Sequence, residues 1–258
     1  MSLIKMIRII KAAAALMLLF VFWLLAPGAG VPLLAYHQVS SVPEVYSIDP
    51  DQFEEHMRYL SSHGYTAISL AELFASKNGV QPLPPNPVII TFDDGYADNC
   101  LTALPIMEKY GMKATVFVIA GQVGQPEYLT WDQIRFMQAK GIEIGSHTYS
   151  HIALSDLDQP KLMDELTRSK QVIETNLGKP VDFLAYPFGQ YNANTITGVK
   201  QAGYVGACTG LPGLGTTKDD AYQLKRVNIP RPKYGLWEFR LRLLRAQIYA
   251  MLSPVFFK

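Results

Sequence analysis

The sequence predicts an α/β protein built on a parallel sheet that is closed, or nearly closed, into a (β/α) barrel. From Val31 onward, short apolar runs alternate with amphipathic stretches, a pattern typical of strands separated by helices. Several helical stretches end in a glycine that can adopt the left-handed cap conformation. The length of 258 residues suits one domain of barrel size or two small ones.

Seven apolar runs are predicted to form the strands, at residues 32–36, 88–92, 114–119, 142–144, 183–186, 204–207 and 224–229. The amphipathic stretches predict helices at residues 51–63, 96–110, 130–140, 156–177 and 193–202. Within the first helix, Phe53, Met57 and Leu60 recur at helical spacing and mark its buried face. Residues 82–87 are rich in proline and are predicted to link two units of the same domain.

Residues 1–30 are predicted to be a signal peptide or an uncleaved signal anchor. Lys5, Arg8 and Lys11 precede an uncharged stretch at residues 12–26, which is followed by proline and glycine. A basic flank, a short apolar run and small residues at its end, where cleavage can occur, are the layout of a secretory signal. Positive charge stays on the cytoplasmic side, so the protein is predicted to be exported, and either secreted or anchored to the membrane through this segment.

A main domain at residues 31–232 is predicted to be followed by a C-terminal helix at residues 233–258. The apolar face of this helix consists of Trp237, Leu241, Leu244, Ile248 and Leu252. Arginines surround this face, and Phe239 and Leu243 interrupt the amphipathic pattern. Packing on the barrel is the favoured interpretation, and a helix lying on a membrane surface is the alternative.

The composition argues against a nucleic-acid partner. Lys and Arg total 23, and Asp and Glu total 22, whereas a nucleic-acid-binding domain usually has a basic excess. The sequence does not indicate protein partners. Cys100 and Cys208 form no CxxC pair, so both are expected to be small buried residues, although a disulfide between them stays open.

Titratable side chains follow three predicted strands at the point where each ends. One buried run ends in Asp93 and Asp94, a later strand leads to His147 with His151 four residues on, and the first strand leads to His37. In a (β/α) barrel, the carboxyl ends of the strands form the face that carries the active site. Unpaired carboxylates are costly near a core, so the two aspartates require a cation, a water or a partner base.

The spacing of two histidines indicates metal ligands. His147 and His151 stand at i and i+4, which on a helix or helical turn places both imidazoles on one side. Two histidines and one carboxylate with open coordination positions form the ligand set of a catalytic divalent metal, most readily Zn²⁺, with Co²⁺ or Ni²⁺ also possible. Adjacent aspartates at a strand end point in different directions, so one is expected to bind the metal and the other to accept a proton from water.

His37 is the candidate general acid, because it lies at the end of the first strand on the same predicted face. Its alternative role is to orient a neighbouring group. His56 and His63 lie on or at the end of a predicted outer helix and are expected to be solvated. A glycosidase needs two carboxylates that face each other across the bond, roughly 5 Å or more apart, and the adjacent pair at the strand end makes that class a weak alternative.

Two segments, Thr91-Phe92-Asp93-Asp94-Gly95 and Ser146-His147-Thr148-Tyr149-Ser150-His151, resemble the first two motifs of the polysaccharide deacetylases. These form carbohydrate esterase family 4, with its NodB-type homology domain. A third segment, Tyr186-Pro187-Phe188-Gly189, resembles the motif that lines the substrate groove. The resemblance covers roughly residues 31–232.

The resemblance implies a deformed, incomplete (β/α) barrel of about seven units that hydrolyses N-acetyl groups on a glycan. It implies that Asp93 is the base and that Asp94, His147 and His151 bind the metal. It also implies that the substrate-binding residues are Tyr186, Pro187 and Phe188.

The sequence departs from the commonest family pattern at two places. The arginine usual at the start of the third motif is absent, and no late Leu-x-His segment supplies the acid. The segment Ala35-Tyr36-His37-Gln38-Val39 is instead similar to a subgroup that includes exported poly-N-acetylglucosamine deacetylases, in which this early histidine takes the place of the acid. Arg226 resembles a late arginine of that subgroup and is expected to orient Asp93; its alternative is an ordinary surface charge.

The predicted function is therefore the metal-dependent removal of N-acetyl groups from an extracytoplasmic amino-sugar polysaccharide, either poly-N-acetylglucosamine-like or a cell-wall glycan. Two alternatives stay open. One is a catalytically inactive glycan-binding protein, which would agree with the absence of the third-motif arginine and of the late Leu-x-His segment. The other is an O-acetyl esterase, which would use the same site. The presence of the complete Asp-Asp and His-His set favours an enzyme.

Overall fold

Seven parallel strands close into a barrel in the computed structural model, which describes residues 30–256 and their side chains as far as residue 250. The described strands are β1 (Leu33–Tyr36), β2 (Gln38–Val39), β3 (Ser47–Ile48), β4 (Thr66–Ala67), β5 (Pro87–Phe92), β6 (Thr115–Val118), β7 (Glu143–Ser146), β8 (Phe183–Ala185), β9 (Gly206–Pro212) and β10 (Leu224–Asn228). The barrel order is β1-β10-β9-β8-β7-β6-β5, and β5 pairs with β1 to close it. This confirms the predicted barrel and all seven of its predicted strands.

Helices pack around the barrel and across one of its ends. They are α1 (Pro50–Ser62), α2 (Leu70–Lys77), α3 (Leu104–Lys109), α4 (Trp131–Ala139), α5 (Gln159–Leu177), α6 (Ala193–Gln201) and α7 (Leu236–Phe256). The helix predicted at residues 96–110 is shorter than expected, because a π-helical turn at Asn99–Ala103 precedes α3. Within the described residues, no helix combines the length and the apolar character needed to cross a membrane. The predicted N-terminal signal or anchor lies outside those residues, apart from Gly30.

The alternation of side chains along β5 explains how one strand serves both the core and a polar site. Val88, Ile90 and Phe92 belong to the apolar layer between the barrel and the helices, whereas Ile89 belongs to the cluster inside the barrel. Successive side chains of a strand point to opposite faces, so Asp93 continues the inward series begun by Ile89. The inside of the barrel is therefore apolar at its amino-terminal end and polar where the strands finish.

The short helix α2 closes the amino-terminal end of the barrel and is absent from the sequence-based predictions. Its Phe74 packs edge to face on Phe183, the first residue of β8, with ring centroids 5.0 Å apart. Glu143, at the start of β7, accepts hydrogen bonds from the backbone N–H groups of the first two residues of α2. A capping box formed by Ser69 and Glu72 begins the helix, and this local pattern was the available sequence indication.

The C-terminal helix α7 packs on the barrel through a face other than the predicted one. Phe239, Leu243 and Ala246 are buried, whereas Trp237 is 60% exposed. The ring of Phe239 stacks on His56 of α1 with a centroid distance of 3.9 Å. The prediction that His56 is solvated is therefore wrong, because α7 covers it; His63 is exposed as expected.

The two cysteines are both buried and both free. The open alternative of a disulfide between Cys100 and Cys208 is thereby excluded. Cys208 lies in the cluster inside the barrel and Cys100 in the outer layer, so each acts as a small buried residue.

Replacing His56 with Gln is expected to make the fold less sensitive to acid. Burial lowers the pKa of His56 to about 3, whereas an unfolded histidine titrates near 6.5. Between these two values the unfolded chain binds one more proton than the fold, so stability is complete above about pH 6.5 and falls by about 1.4 kcal/mol per pH unit towards about pH 3. Urea unfolding across this window should show a shallower pH slope in the variant.

The matched control for this prediction is His63→Gln, at an exposed histidine just after the same helix. The free energy of unfolding of this variant should depend on pH as steeply as that of the unchanged protein, because His63 is accessible to water in both the folded and the unfolded state. An unchanged slope in His56→Gln would contradict the assignment of His56 as a neutral buried histidine.

Candidate active site

Three side chains from two strand ends converge on a small volume at the carboxyl end of the barrel. The Nε2 atoms of His147 and His151 each lie 3.5 Å from Oδ1 of Asp94. That oxygen is buried and has no hydrogen-bond partner among the described residues. One ligand atom from each of the three side chains falls within 4.8 Å of the others. An unpartnered carboxylate oxygen between two imidazole nitrogens fits a bound cation.

The segment that carries the two histidines is a loop stabilised by side chains, not the helical turn expected from their spacing. Thr148 and His151 both have positive φ values, 68° and 58°, and His151 donates its backbone N–H to Oγ1 of Thr148 at 3.1 Å. Asp94 also has a positive φ, 71°. Such conformations are strained for residues with a side chain and persist where the surroundings impose them, frequently at functional sites.

Glu165 of α5 holds this loop, and sequence reasoning missed it. Its Oε2 accepts hydrogen bonds from the backbone N–H groups of Tyr149 and Ser150 at 3.0 and 2.9 Å, and its Oε1 accepts the hydroxyl of Ser150. Glu165 is buried beside Leu162 and Leu166 on the inner face of the helix. A carboxylate on the apolar face of an amphipathic helix was the sequence indication that could have identified it.

His147 is oriented by the neighbouring strand. Its Nδ1 lies 2.8 Å from the carbonyl oxygen of Ala185, so Nδ1 carries the hydrogen and Nε2 presents its lone pair to Asp94. Burial lowers the pKa of His147 to about 4, which favours the neutral imidazole that a metal requires.

Asp93 forms a buried ion pair with Arg226 at the bottom of the pocket. The Nη1 and Nη2 atoms of Arg226 each lie 2.7 Å from one carboxylate oxygen of Asp93. The same guanidinium donates through Nε to the carbonyl oxygen of Thr209 at 3.0 Å. Arg226 is only 3% exposed, so the interpretation as an ordinary surface charge is wrong. The sequence-predicted pairing of Arg226 with Asp93 is present as a two-point contact that fixes the orientation of the carboxylate.

The two adjacent aspartates have different electrostatic surroundings. Burial acts to raise the pKa of Asp93, but the charge of Arg226, followed by that of His147, outweighs it and holds the pKa well below its ordinary value. Burial raises the pKa of Asp94 to about 6, against the opposing charge of His37 and with a further rise from Asp93. Of the two, Asp93 is therefore the carboxylate that its pairing with Arg226 keeps ionised far below neutral pH, whereas Asp94 begins to take up a proton at mildly acidic pH.

His37 lies across the pocket from these groups. Its Nε2 is 4.0 Å from Oδ2 of Asp93, and its side chain is 20% exposed. The ring packs on Tyr46 with a centroid distance of 4.6 Å. Asn99, in the π-helical turn, donates its side-chain amide to the carbonyl oxygen of His37 at 2.8 Å. His37 thus has a fixed backbone and a ring that faces both Asp93 and solvent.

The pocket opens into a longer groove. The inner volume, about 210 Å³, is lined by both aspartates and all three histidines of the site, together with Phe188 and Arg226. An outer volume of about 440 Å³ shares His37, Tyr46 and Asp94 with it and continues past Glu44 and Tyr96. A groove that extends beyond the reacting groups suits a polymer more than a small molecule.

Only one of the three predicted substrate-binding residues presents its side chain to this groove. Phe188 is 65% exposed and contacts His151, with ring centroids 4.7 Å apart. Tyr186 is fully buried, and its hydroxyl donates to the carbonyl oxygen of Tyr222 at 3.0 Å. Pro187 is buried as well. Tyr186 and Pro187 support the turn that carries Phe188, and substrate contact by the three residues stays a prediction.

Paired carboxylates and histidines at the strand ends of a closed (β/α) barrel lie on the face where such barrels carry their active sites, and a base beside a cation cluster is typical of a hydrolase. Residues 81–207 match the family model described as polysaccharide deacetylase. YxkH of Bacillus subtilis, which is named as a polysaccharide deacetylase, is 36% identical over 203 residues, covering 78% of this chain and 72% of that protein. The chain belongs to the polysaccharide deacetylase family, and it is a hydrolase.

One further relative and two solved structures are also similar to this chain. The poly-β-1,6-N-acetyl-D-glucosamine N-deacetylase of Staphylococcus aureus is 31% identical over 173 residues, which cover 61% of this chain and 59% of that protein. Among solved structures, the deacetylase PplD of Streptococcus pyogenes in complex with acetate has a TM-score of 0.78 at 26% identity, covering 86% of this chain and 99% of that one. IcaB of Ammonifex degensii has a TM-score of 0.71 at 26% identity, covering 85% and 97%.

Proposed function

We propose that this protein is a metal-dependent, extracytoplasmic N-deacetylase that acts on a poly-N-acetylglucosamine-like polysaccharide. The observation that carries the proposal is the placement of an ionised, Arg226-bound Asp93 directly beside the Asp94-His147-His151 cluster. A base next to a cation site is what amide hydrolysis by water requires. The Staphylococcus aureus relative supports the choice of glycan, because its name states that polymer.

Asp94, His147 and His151 would hold the cation. The buried, unpartnered Oδ1 of Asp94 and the free Nε2 of His147 fit this role, and two nitrogen ligands with one oxygen ligand suit Zn²⁺, with Co²⁺ or Ni²⁺ as alternatives. A bound divalent cation supplies Lewis acidity, which makes water more acidic and stabilises negative charge on oxygen.

Asp93 would act as the general base. Arg226 holds both of its carboxylate oxygens and keeps the group ionised, so the carboxylate is ready to accept a proton from a water in the pocket. The two hydrogen bonds also fix the direction in which its remaining lone pairs point. Arg226 is then a positioning residue, because it acts through Asp93.

His37 would protonate the leaving amine. Its Nε2 lies 4.0 Å from Oδ2 of Asp93, and its ring packs on Tyr46 at the wall of the groove. The buried Nδ1 of His37 has no hydrogen-bond partner among the described residues.

His37→Ala is expected to lower the rate of acetate release by about 10²-fold or more, the usual contribution of a general acid. Zn²⁺ affinity should stay unchanged, because His37 is not among the three clustered ligands. Acetate assays and calorimetric Zn²⁺ titration of the same preparation measure the two quantities. Full activity in this variant would show that water or another group donates the proton.

Location outside the cytoplasm is proposed from the sequence of the N-terminal segment. Lys5, Arg8 and Lys11 before an uncharged run would keep the start of the chain inside and direct the barrel outward. The same segment would attach the protein to the membrane if it is not cleaved. An exported enzyme of this kind meets its polysaccharide at the cell surface.

The decisive experiment is an acetate-release assay across four substrates: β-1,6-linked N-acetylglucosamine oligomers, peptidoglycan fragments, chitin oligomers and acetylated xylan. Release from the β-1,6-linked oligomers in excess over the others supports the proposal. Release mainly from xylan would indicate an O-acetyl esterase. Absence of release from every substrate, with Zn²⁺ binding demonstrated, would indicate a glycan-binding protein and overturn the proposed activity.

A further inference from the structure

Helix α7 has two apolar faces, and its fully buried residues lie on only one of them. Phe239, Leu243 and Ala246 are buried against it, with Phe239 seated between His56 and Tyr59 of α1. On the other side of α7, Trp237 and Leu241 are exposed, and their exposure requires another explanation.

The outer face is a continuous stripe. It consists of Trp237, Leu241, Leu244 and Ile248. At about 3.6 residues per turn, these positions stack along one side of the helix, roughly half a turn from the buried Phe239 and Leu243. Trp237 is 60% exposed and Leu241 is 40% exposed. Leu244 and Ile248 are partly buried, so the exposed part of the stripe is Trp237 with Leu241, which together leave a large apolar surface in water.

Two arginines border the stripe, one on each side. The guanidinium of Arg240 lies over the ring of Tyr59, and that of Arg245 bonds to the hydroxyl of Tyr249. Within residues 30–250, neither arginine forms an ion pair with a carboxylate. Apolar residues with tryptophan, flanked by arginine, are the composition of helices that lie in the interface of a bilayer.

The end of α7 lies close to the point where the N-terminal segment joins the barrel. Val31 forms backbone hydrogen bonds with Gly215, and the adjacent Leu214 lines a cavity of about 430 Å³ together with Tyr249 and Ala250 of α7. Gly30, where the described part of the chain begins, therefore lies near this helix. A membrane held by that segment would be next to α7.

We propose that the stripe formed by Trp237, Leu241, Leu244 and Ile248 lies on the surface of an anionic phospholipid bilayer and is a second membrane contact of the protein. Charge complementarity selects this occupant. A second copy would bring its own Arg240 and Arg245 to the interface, and the N-terminal segment carries the positive charges of Lys5, Arg8 and Lys11; both would repel the flanking arginines. Phosphatidylglycerol head groups would pair with them.

Quenching of tryptophan by brominated lipid tests this contact in the full chain. Trp23→Phe and Trp131→Phe leave Trp237 as the single tryptophan, since the sequence has three. In phosphatidylglycerol vesicles, bromine near the upper part of the acyl chains should reduce the emission of Trp237, and more strongly than bromine at the chain ends. Equal emission with and without bromine would overturn the proposal, whether a second copy or the N-terminal segment covers the stripe.

The matched control carries its single tryptophan elsewhere. Phe136 on α4 is 51% exposed, so adding Phe136→Trp and Trp237→Phe to the same background places one accessible tryptophan on a different helix. This tryptophan should not be quenched; equal quenching at both positions would indicate unspecific adsorption and overturn the assignment to α7. Arg240→Gln with Arg245→Gln should reduce the quenching of Trp237, and no reduction would contradict the charge argument. The assay does not depend on deacetylase activity.

Discussion

Asp93→Asn is expected to lower acetate release by about 10²–10⁴-fold, the range associated with loss of a general base. The amide preserves the shape of the side chain but cannot accept a proton from water. Zn²⁺ binding should persist, because the three clustered ligands come from Asp94, His147 and His151. Acetate release and calorimetric Zn²⁺ titration on the same sample separate loss of chemistry from loss of the cation.

The same substitution should also weaken the fold, because it leaves Arg226 buried without its counter-charge. Removing one partner of a buried ion pair destabilises a protein by about 3–5 kcal/mol. The assay must therefore be made at a temperature where circular dichroism shows the variant folded. Activity within a few-fold of the unchanged protein, in a folded sample, would exclude Asp93 as the base.

Arg226→Lys separates positioning from charge in the same pair. Lysine keeps the positive charge but cannot make the two-point contact with both carboxylate oxygens. If Arg226 orients Asp93, kcat falls while KM stays nearly constant. A purely structural role would lower the free energy of unfolding and leave kcat unaltered.

The reacting residues could be predicted because they lie in short segments directly after predicted strands. Asp93 and Asp94 end a clearly apolar strand, and His147 and His151 follow another, so the barrel topology alone brings them together. The resemblance to a family divided the roles between the two aspartates. The strand pattern alone could not assign the base and the metal ligand, because it shows only that adjacent side chains point in different directions.

Features that depend on contacts between distant parts of the chain escaped prediction. The loop of His147 and His151 takes its left-handed conformations because Glu165, on α5, binds its backbone. His56 is buried because α7, far along the chain, covers it. A helical pattern in sequence shows that residues share a face, but it does not show which of two apolar faces of α7 meets the barrel.

Removing any one of the three clustered ligands is expected to abolish cation binding and acetate release together. In His147→Ala, His151→Ala and Asp94→Asn, the remaining pair of ligands leaves too few donors for a stable catalytic site. Calorimetric titration with Zn²⁺ and an acetate assay with added Zn²⁺ measure both losses. His63→Ala, at an exposed histidine, is the matched control and should bind Zn²⁺ with unchanged affinity.

The two histidine positions differ in whether added imidazole should restore binding and activity, and this difference distinguishes a cation site from a merely structural cluster. His151 is 26% exposed on its side chain and His147 only 3%, so added imidazole can reach the gap left by His151→Gly and is expected to restore part of both binding and activity. The same treatment should not restore His147→Gly, whose gap is closed and whose hydrogen bond to Ala185 is lost. Activity that persists in His151→Ala without Zn²⁺ binding would show that the cluster does not serve the reaction, because a structural role predicts loss of stability in place of loss of the cation.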